Sequence, residues 1–251
     1  MRIAWLTHHL PWPEGKERPE FLLPGELVGG AEMADMGMIN QGPDDADITM
    51  LPPDCWEEAM DYERIVITGT DYLTPEAMLT LAERGPLVWV HHQQAASKER
   101  NTLFRQARPF VTMSTLHQWV EERWSGVKSE INHGWIDPAE VPVASNERRG
   151  ALWSARNHPA KGLISARLWA LREGHALKEL TGVPRAEVLW AMSEAEWFVF
   201  KPKSIDACPR TLIEAEIAGC KIATNALAGR RASGDLTDVL TSQPVSFWRW
   251  V

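Results

Sequence analysis

The chain's 251 residues carry 44% hydrophobic and 24% charged side chains, the balance of a soluble globular protein with room for one large domain or two small ones. A formal net charge of −8 argues against a broad, charge-driven hold on nucleic acid or an anionic membrane, while leaving room for a local basic groove. The three cysteines, Cys55, Cys208 and Cys220, are odd in number and far apart, which argues against a disulfide framework and predicts a cytoplasmic protein.

The N-terminus turns polar at His8-His9 before any signal-type apolar region forms. No apolar run approaches the ~18 residues that a membrane span needs. Ile3 to Thr7 reads as a buried first strand, followed by a loop punctuated by Pro11, Pro13, Pro24 and Gly25. A helix opens near Gly29-Gly30-Ala31-Glu32 and carries Met33, Met36 and Met38 inward. Asp47 to Leu51 and Arg64 to Thr68 are the next strands. Thr74-Pro75-Glu76 starts a helix, with an N-cap hydroxyl and proline at the first helical position. Leu87 to Val90 and Phe110 to Met113 are continuous apolar strands, the type expected when helices cover both faces of a parallel sheet. Ser114 is expected to cap a helix that stops at Gly126, and Ile131 to end a short strand.

The segment from Asp137 to Gly150 breaks this rhythm with Pro138, Pro142 and the charged run Asn146-Glu147-Arg148-Arg149. It reads as a linker over 138–149, between a domain over 1–137 and a second over 150–251. Beyond it come a strand at Ala151 to Trp153, a helix from Pro159, a helix from Arg185 to Met192, a strand from Trp197 to Phe200, a helix from Pro209 and a strand from Lys221 to Thr224. Strand–helix alternation on both sides of a linker predicts two Rossmann-like, doubly wound parallel-sheet domains. Ligands in such sheets bind at the carboxyl ends of the strands, so two of them facing across a cleft make a binding site.

The segment from Asp206 to Cys220 carries the strongest chemical signal. A strand runs into a loop bearing one acid, Asp206, and a helix follows with a second acid, Glu214, inside it. The backbone N–H groups of Arg210 and Thr211 are then free at a helix N-terminus, where the dipole favours a phosphate. Helical side chains lean toward the N-terminus, so Glu214 reaches back over the same opening. Two carboxylates beside a phosphate site suit hydroxyl-rich groups, a ribose and a sugar. The bland reading is an amphipathic helix with surface acids.

This segment resembles the donor-binding motif of retaining glycosyltransferases of the GT-B fold: an acid, seven residues, Glu, then Ala-x-Ala-x-Gly. Glu214-Ala215-Glu216-Ile217-Ala218-Gly219 matches the second half; Asp206 stands where the family usually has Glu, and Ala207-Cys208-Pro209 replaces a glycine-rich stretch. The resemblance implies that Glu214 binds the donor ribose and Asp206 the transferred sugar. Arg156-Asn157-His158-Pro159-Ala160-Lys161-Gly162 is similar to the family's Gly-Arg-x-x-x-x-Lys-Gly element, with Ala155 replacing the first glycine. Arg156 and Lys161 would neutralise the diphosphate leaving group. The bland reading leaves two solvated cations at a helix start, the end where the dipole disfavours them.

Gly29-Gly30-Ala31-Glu32 matches the sequence that follows the family's first strand, where glycine lets the backbone approach a ligand; the resemblance assigns Gly29 and Gly30 to the acceptor side and the donor site. Ile131-Asn132-His133-Gly134-Trp135-Ile136-Asp137 matches the stretch that closes its first domain. The family often has a His near the donor sugar, and His92, at the end of the strand from Leu87, is favoured over His91 for that place. No metal-ligand spacing such as HExxH and no DxD-like pair is present, so metal-independent transfer without a resident cofactor is expected.

Only about 20 residues separate the Lys161 helix from Pro184, where the family has further strands and a base-contacting helix, so the second domain is a reduced one. The resemblance implies a hexosyltransferase-like enzyme that takes a UDP- or GDP-linked sugar and retains its anomeric configuration. A glycan, a small molecule and a hydroxymethylated DNA base stand open as acceptors, the last disfavoured by net charge. A nucleotide- or sugar-binding module that kept the fold and lost turnover is the alternative. A nucleotide-sugar epimerase shares the architecture but should show acids and histidines in both domains. Nothing in the sequence specifies an oligomeric state.

Overall fold

The computed structural model describes residues 1–7, 30–68, 73–84, 87–91, 111–115, 129–131, 136–204, 206, 209–228 and 247–248. They group into two compact units, Met1–Trp135 with Thr241–Val251, and Ile136–Leu240.

The first unit is a six-stranded parallel sheet of β1 (Arg2–Leu6), β2 (Asp47–Leu51), β3 (Arg64–Thr68), β4 (Leu87–His91), β5 (Val111–Thr115) and β6 (Ser129–Ile131), in the order β2-β1-β3-β4-β5-β6. Its described helices are α1 (Gly30–Asn40), α2 (Trp56–Ala59) and α3 (Pro75–Arg84). Thr74 caps α3 as its sequence predicts, its hydroxyl accepting from the Ala77 N–H at 3.2 Å. Ser114, expected as a helix cap, is instead inside β5, opposite Val90 of β4. Parallel pairing with β4 extends the strand past Met113 and takes that residue into the ladder.

One face of this sheet packs Ile3, Trp5, Ile48, Met50, Val66 and Val88 against Ala34, Met36, Met38 and Ile39 of α1. Phe247 joins the same core, its ring centroid 6.0 Å from that of Trp5. Phe247 and Trp248, far along the chain, therefore pack into the core of the first unit. A buried polar cluster sits where the strand order reverses, between β1 and β3. Thr7, just past β1, and Thr68, at the end of β3, each donate a hydroxyl to Asp35 Oδ2 at 2.7 Å. Trp5 Nε1 donates to Thr68 Oγ1 at 3.3 Å. Asp35 thus fastens α1, whose first residue is Gly30, to the carboxyl ends of the two central strands.

The second unit is a four-stranded parallel sheet of β7 (Ala151–Ser154), β8 (Leu177–Leu180), β9 (Trp197–Phe200) and β10 (Lys221–Thr224), in the order β10-β9-β7-β8. Alternation along the strands divides two cores. Leu152, Phe198 and Phe200 face α5 (Arg185–Glu194) and α6 (Arg210–Ile217), while Ala151, Trp153 and Val199 face α4 (Leu163–Glu173). Sequence periodicity does not predict β8, because Lys178 and Glu179 are exposed on this edge strand. Glu179 instead accepts two hydrogen bonds from Arg167 of α4, both at 2.7 Å.

Residues between Asp137 and Gly150 pack onto this second unit. Val141 lies in its core, and the Ser145 and Arg149 N–H groups donate to the carbonyls of Ser193 and Glu194. Arg148 donates to the carbonyls of Ala218 and Gly219. Among the described residues no helix is long and apolar enough to cross a membrane.

Two predictions follow from this packing. Asp35→Ala removes the acceptor that two buried hydroxyls share and should lower stability by about 2 kcal/mol or more in urea unfolding, with Asp35→Asn, which keeps an acceptor, costing less. Cys220 is buried, its thiol facing the Met192 carbonyl at 3.1 Å. Burial, only partly opposed by Arg148, pushes that thiol from an ordinary 9.0 up to about 11. Because the folded value is the raised one, its stabilising effect is intact below pH 9 and is lost as pH climbs toward 11. At pH 8.5, mass spectrometry should find Cys220 alkylated at least about a hundredfold more slowly in the native than in the urea-unfolded protein.

Candidate functional site

In the second sheet the strand order reverses between β7 and β9: β8 lies outside β7, and β10 lies outside β9. Connections leaving the carboxyl ends of those two strands run to opposite sides, the place where open α/β sheets bind ligands. The loops carrying Arg156, Lys161 and Asp206 start there.

Past β7, His158 caps a single 3₁₀ turn, Pro159–Lys161, its Nδ1 accepting from the Ala160 N–H at 3.2 Å. Gly162 follows in the left-handed region, with φ of 77°, and α4 begins at Leu163. A Cβ on Gly162 would stand 1.9 Å from the Lys201 carbonyl oxygen, in the loop after β9. Glycine is required there for space and for φ. Two hydrogen bonds bind the same region: Lys203 N–H to the Ala160 carbonyl at 2.8 Å, and Trp153 Nε1 to the Lys161 carbonyl at 3.3 Å.

This anchoring brings together two of the residues predicted from sequence. Lys161 Nζ lies 2.6 Å from Asp206 Oδ2, with 34% and 18% of the two side chains exposed. Asp206 is held in turn by its backbone, which donates to the Leu227 carbonyl at 2.9 Å and bridges to Ala228 beyond β10. Arg156 is exposed in the loop that leads from β7 to Lys161.

Glu214 lies on α6, which begins at Arg210, one residue later than the sequence predicts, with Pro209 as its N-cap and no side chain capping that end. Thr211 is half-buried in its first turn. The Glu214 side chain is only 3% exposed, and its Oε1 accepts from Nε of Arg210 and from Nε of Arg185, each at 3.0 Å. Arg185 also donates from Nη1 to Glu140 Oε2 at 2.7 Å. Burial works against the charge on Arg185, but Glu214 and Glu140 together outweigh it and raise its pKa. Arg210 shifts the other way: burial dominates, the attraction of Glu214 opposes it, and Arg185 adds repulsion. The two arginines and Glu214 are buried together, and the partly exposed Glu140 adds a second carboxylate at Arg185.

Arg185 and Glu140 were not singled out from sequence. Arg185 is the first residue of α5, an end where the dipole disfavours a cation. That anomaly, which marks Lys161, is the signal that could have found it. Of the remaining candidates, Gly30 opens α1 and His91 ends β4, while Gly29 and His92 lie outside the described residues. Among the described residues, no three His, Cys, Asp or Glu side chains cluster as a metal site requires.

No protein-family model and no curated protein sequence matches the chain. Solved structures do. AviGT4, a glycosyltransferase involved in avilamycin A biosynthesis, aligns with a TM-score of 0.58 at 13% identity over 96% of this chain and 82% of its own. Anabaena HepE in complex with UDP aligns at 0.60 and 13% identity, over 98% and 90% of the two chains. Sucrose-phosphate synthase from Thermosynechococcus elongatus aligns at 0.56 and 10% identity, over 99% and 90%. The chain has the GT-B glycosyltransferase fold. Within that fold its second unit is the reduced one, with four strands against six among the described residues.

The joint at Gly162 yields a direct prediction. Gly162→Ala drives a methyl group into the Lys201 carbonyl at a φ that L-residues avoid, so it should cost about 1–3 kcal/mol of stability. Proteolysis of the native protein, read by mass spectrometry, should show new cleavage near Lys161 and Lys203, where the two loops separate.

Proposed function

We propose that the protein transfers a sugar from a nucleotide-sugar donor, UDP- or GDP-linked, to an acceptor hydroxyl, with retention and without a divalent metal. The observation that carries this reading is the Lys161–Asp206 contact at 2.6 Å, in the loops that leave the two strands at the strand-order reversal. HepE, similar in fold, has been solved with UDP and with UDP-glucose.

The cation and acid supply complementary halves of a donor site. Lys161, Arg156 and the N–H groups of Arg210 and Thr211 receive the charge that builds on the diphosphate as the glycosidic bond breaks. Asp206 accepts from hydroxyls of the transferred sugar, and Glu214 from those of the ribose. Asp206 also holds the Lys161 ammonium over the site before a donor arrives. A diphosphate then competes for Lys161 and releases an Asp206 oxygen toward the sugar. For His92, near the donor sugar, and Gly29–Gly30, on the acceptor side, the reading rests on the sequence resemblance alone. A DNA acceptor is disfavoured by the net charge of −8.

Thermal shift against a panel of nucleotide-sugars identifies the donor, since a ligand that binds only the folded state raises its stability. Donor turnover is then measured in excess EDTA beside Lys161→Ala. We expect EDTA to have little effect and Lys161→Ala to lower turnover by about a hundredfold, the scale of one lost oxyanion donor. Turnover abolished by EDTA and restored by magnesium, with Lys161→Ala near normal, would overturn the metal-independent reading. Donor binding without hydrolysis or transfer to any acceptor would reduce the protein to a binding module.

A further inference from the structure

Glu214 is held more firmly than its proposed task of accepting ribose hydroxyls requires by itself. Arg210 lies one turn earlier on the same helix, and this i,i+4 ion pair already neutralises the carboxylate. Arg185 brings a second cation from α5, placed against that helix's dipole and 16% exposed. Its Nη2 is buried without a hydrogen-bond partner, an arrangement that costs stability. Glu140, in the 3₁₀ turn Pro138–Glu140, braces its other arm. Economy of folding does not account for this cluster; orientation does.

Both arginine Nε atoms donate to one carboxylate oxygen, Oε1, from two different helices. With Arg210 alone, the carboxylate can turn about its last torsion and exchange its oxygens. With Arg185 on the same oxygen from a separate element, the carboxylate plane is fixed. Among the described residues, the hydrogen bonds to the Glu214 side chain all end on Oε1. Oε2 is left as the acceptor for a ligand.

We infer that Arg185, braced by Glu140, is a positioning residue. It fixes the Glu214 carboxylate so that Oε2 receives the ribose hydroxyls, and so makes the site select ribonucleotides over 2′-deoxyribonucleotides. This rests on the ribose role of Glu214 proposed above. A site built to accept from a hydroxyl discriminates against the analogue lacking it, because the acceptor is left unanswered.

The test is calorimetric affinity for UDP and GDP, each against its 2′-deoxy form, with inorganic pyrophosphate as the probe that has no ribose. Wild type should prefer the tighter-binding ribonucleotide by about tenfold or more. Glu214→Gln and Arg185→Met should each bring that preference to within about threefold, and Arg185→Lys should restore part of it. Pyrophosphate affinity should stay within about threefold of wild type in Arg185→Met. If Glu214→Gln removes the preference and Arg185→Met keeps it, this inference falls while the ribose role of Glu214 stands. If Glu214→Gln keeps the preference, the ribose role falls and this inference with it. An equal loss for pyrophosphate and ribonucleotide in Arg185→Met also overturns it, since the damage is then general. Should Arg185→Met fail to fold, Glu140→Gln removes only the brace: a reduced preference supports the inference, and an intact one overturns it.

Discussion

Gly162 and the Lys201 carbonyl approach so closely that a single methyl group between them would stand 1.9 Å from the oxygen. That approach joins the loops that leave the two central strands of the second sheet. It fixes where Lys161 points, because Lys161 is the residue before the glycine and its own carbonyl is held by Trp153. It also limits where the chain beyond β9 can travel before Asp206. The loop after β10 adds a third layer, with Asn225 Nδ2 donating to the Pro202 carbonyl at 2.9 Å. An ion pair between residues 45 positions apart in sequence thus forms on backbone already committed to bringing them together. Its net contribution to stability is small at this exposure, so the pair is a consequence of the joint and not its cause.

The two acids of the second unit are paired in different ways, and the difference sorts their chemistry. Lys161 and Asp206 keep one-third and one-fifth of their side chains in solvent, so an arriving anion can exchange for the carboxylate at little desolvation cost. Glu214 is shut between two arginines. Breaking that pair would leave a buried uncompensated charge, a loss of about 3–5 kcal/mol. The first arrangement suits a group that changes partners during a reaction, and the second suits a group that must not move.

The parallel strands with buried faces were legible in sequence because continuous apolar runs have few alternatives. Asp47–Leu51, Arg64–Thr68 and Trp197–Phe200 occur at the predicted bounds, as does Lys221–Thr224, an edge strand in which only Ala223 is buried. β8 was not legible: an edge strand with two exposed charges lacks the apolar signature, and its pairing with β7 is decided by tertiary contact. At the candidate site, the Arg156–Lys161 spacing and the Asp206–Glu214 spacing are local and could be read directly. The contacts of Arg185 and Glu140 with Glu214 span 29 residues and, through Arg185, 45 more. No local pattern encodes such distances; only a cation at the wrong end of a helix hints at them.

The four described strands of the second sheet carry the parts of the proposed donor site. Lys161 follows β7, Asp206 follows β9 and is fastened beyond β10, and Glu214 sits on the helix between β9 and β10. None of these comes from β8, and all three follow from the strands on either side of the strand-order reversal. Residues 136–149 add packing to the second unit. Ile136 packs on Ile213 of α6, Val141 enters the core, and Glu140 reaches Arg185. The proline-rich stretch that breaks the strand–helix rhythm is therefore structural material of the second unit. Through Glu140 it is bonded to the arginine that holds the most deeply buried acid of the site.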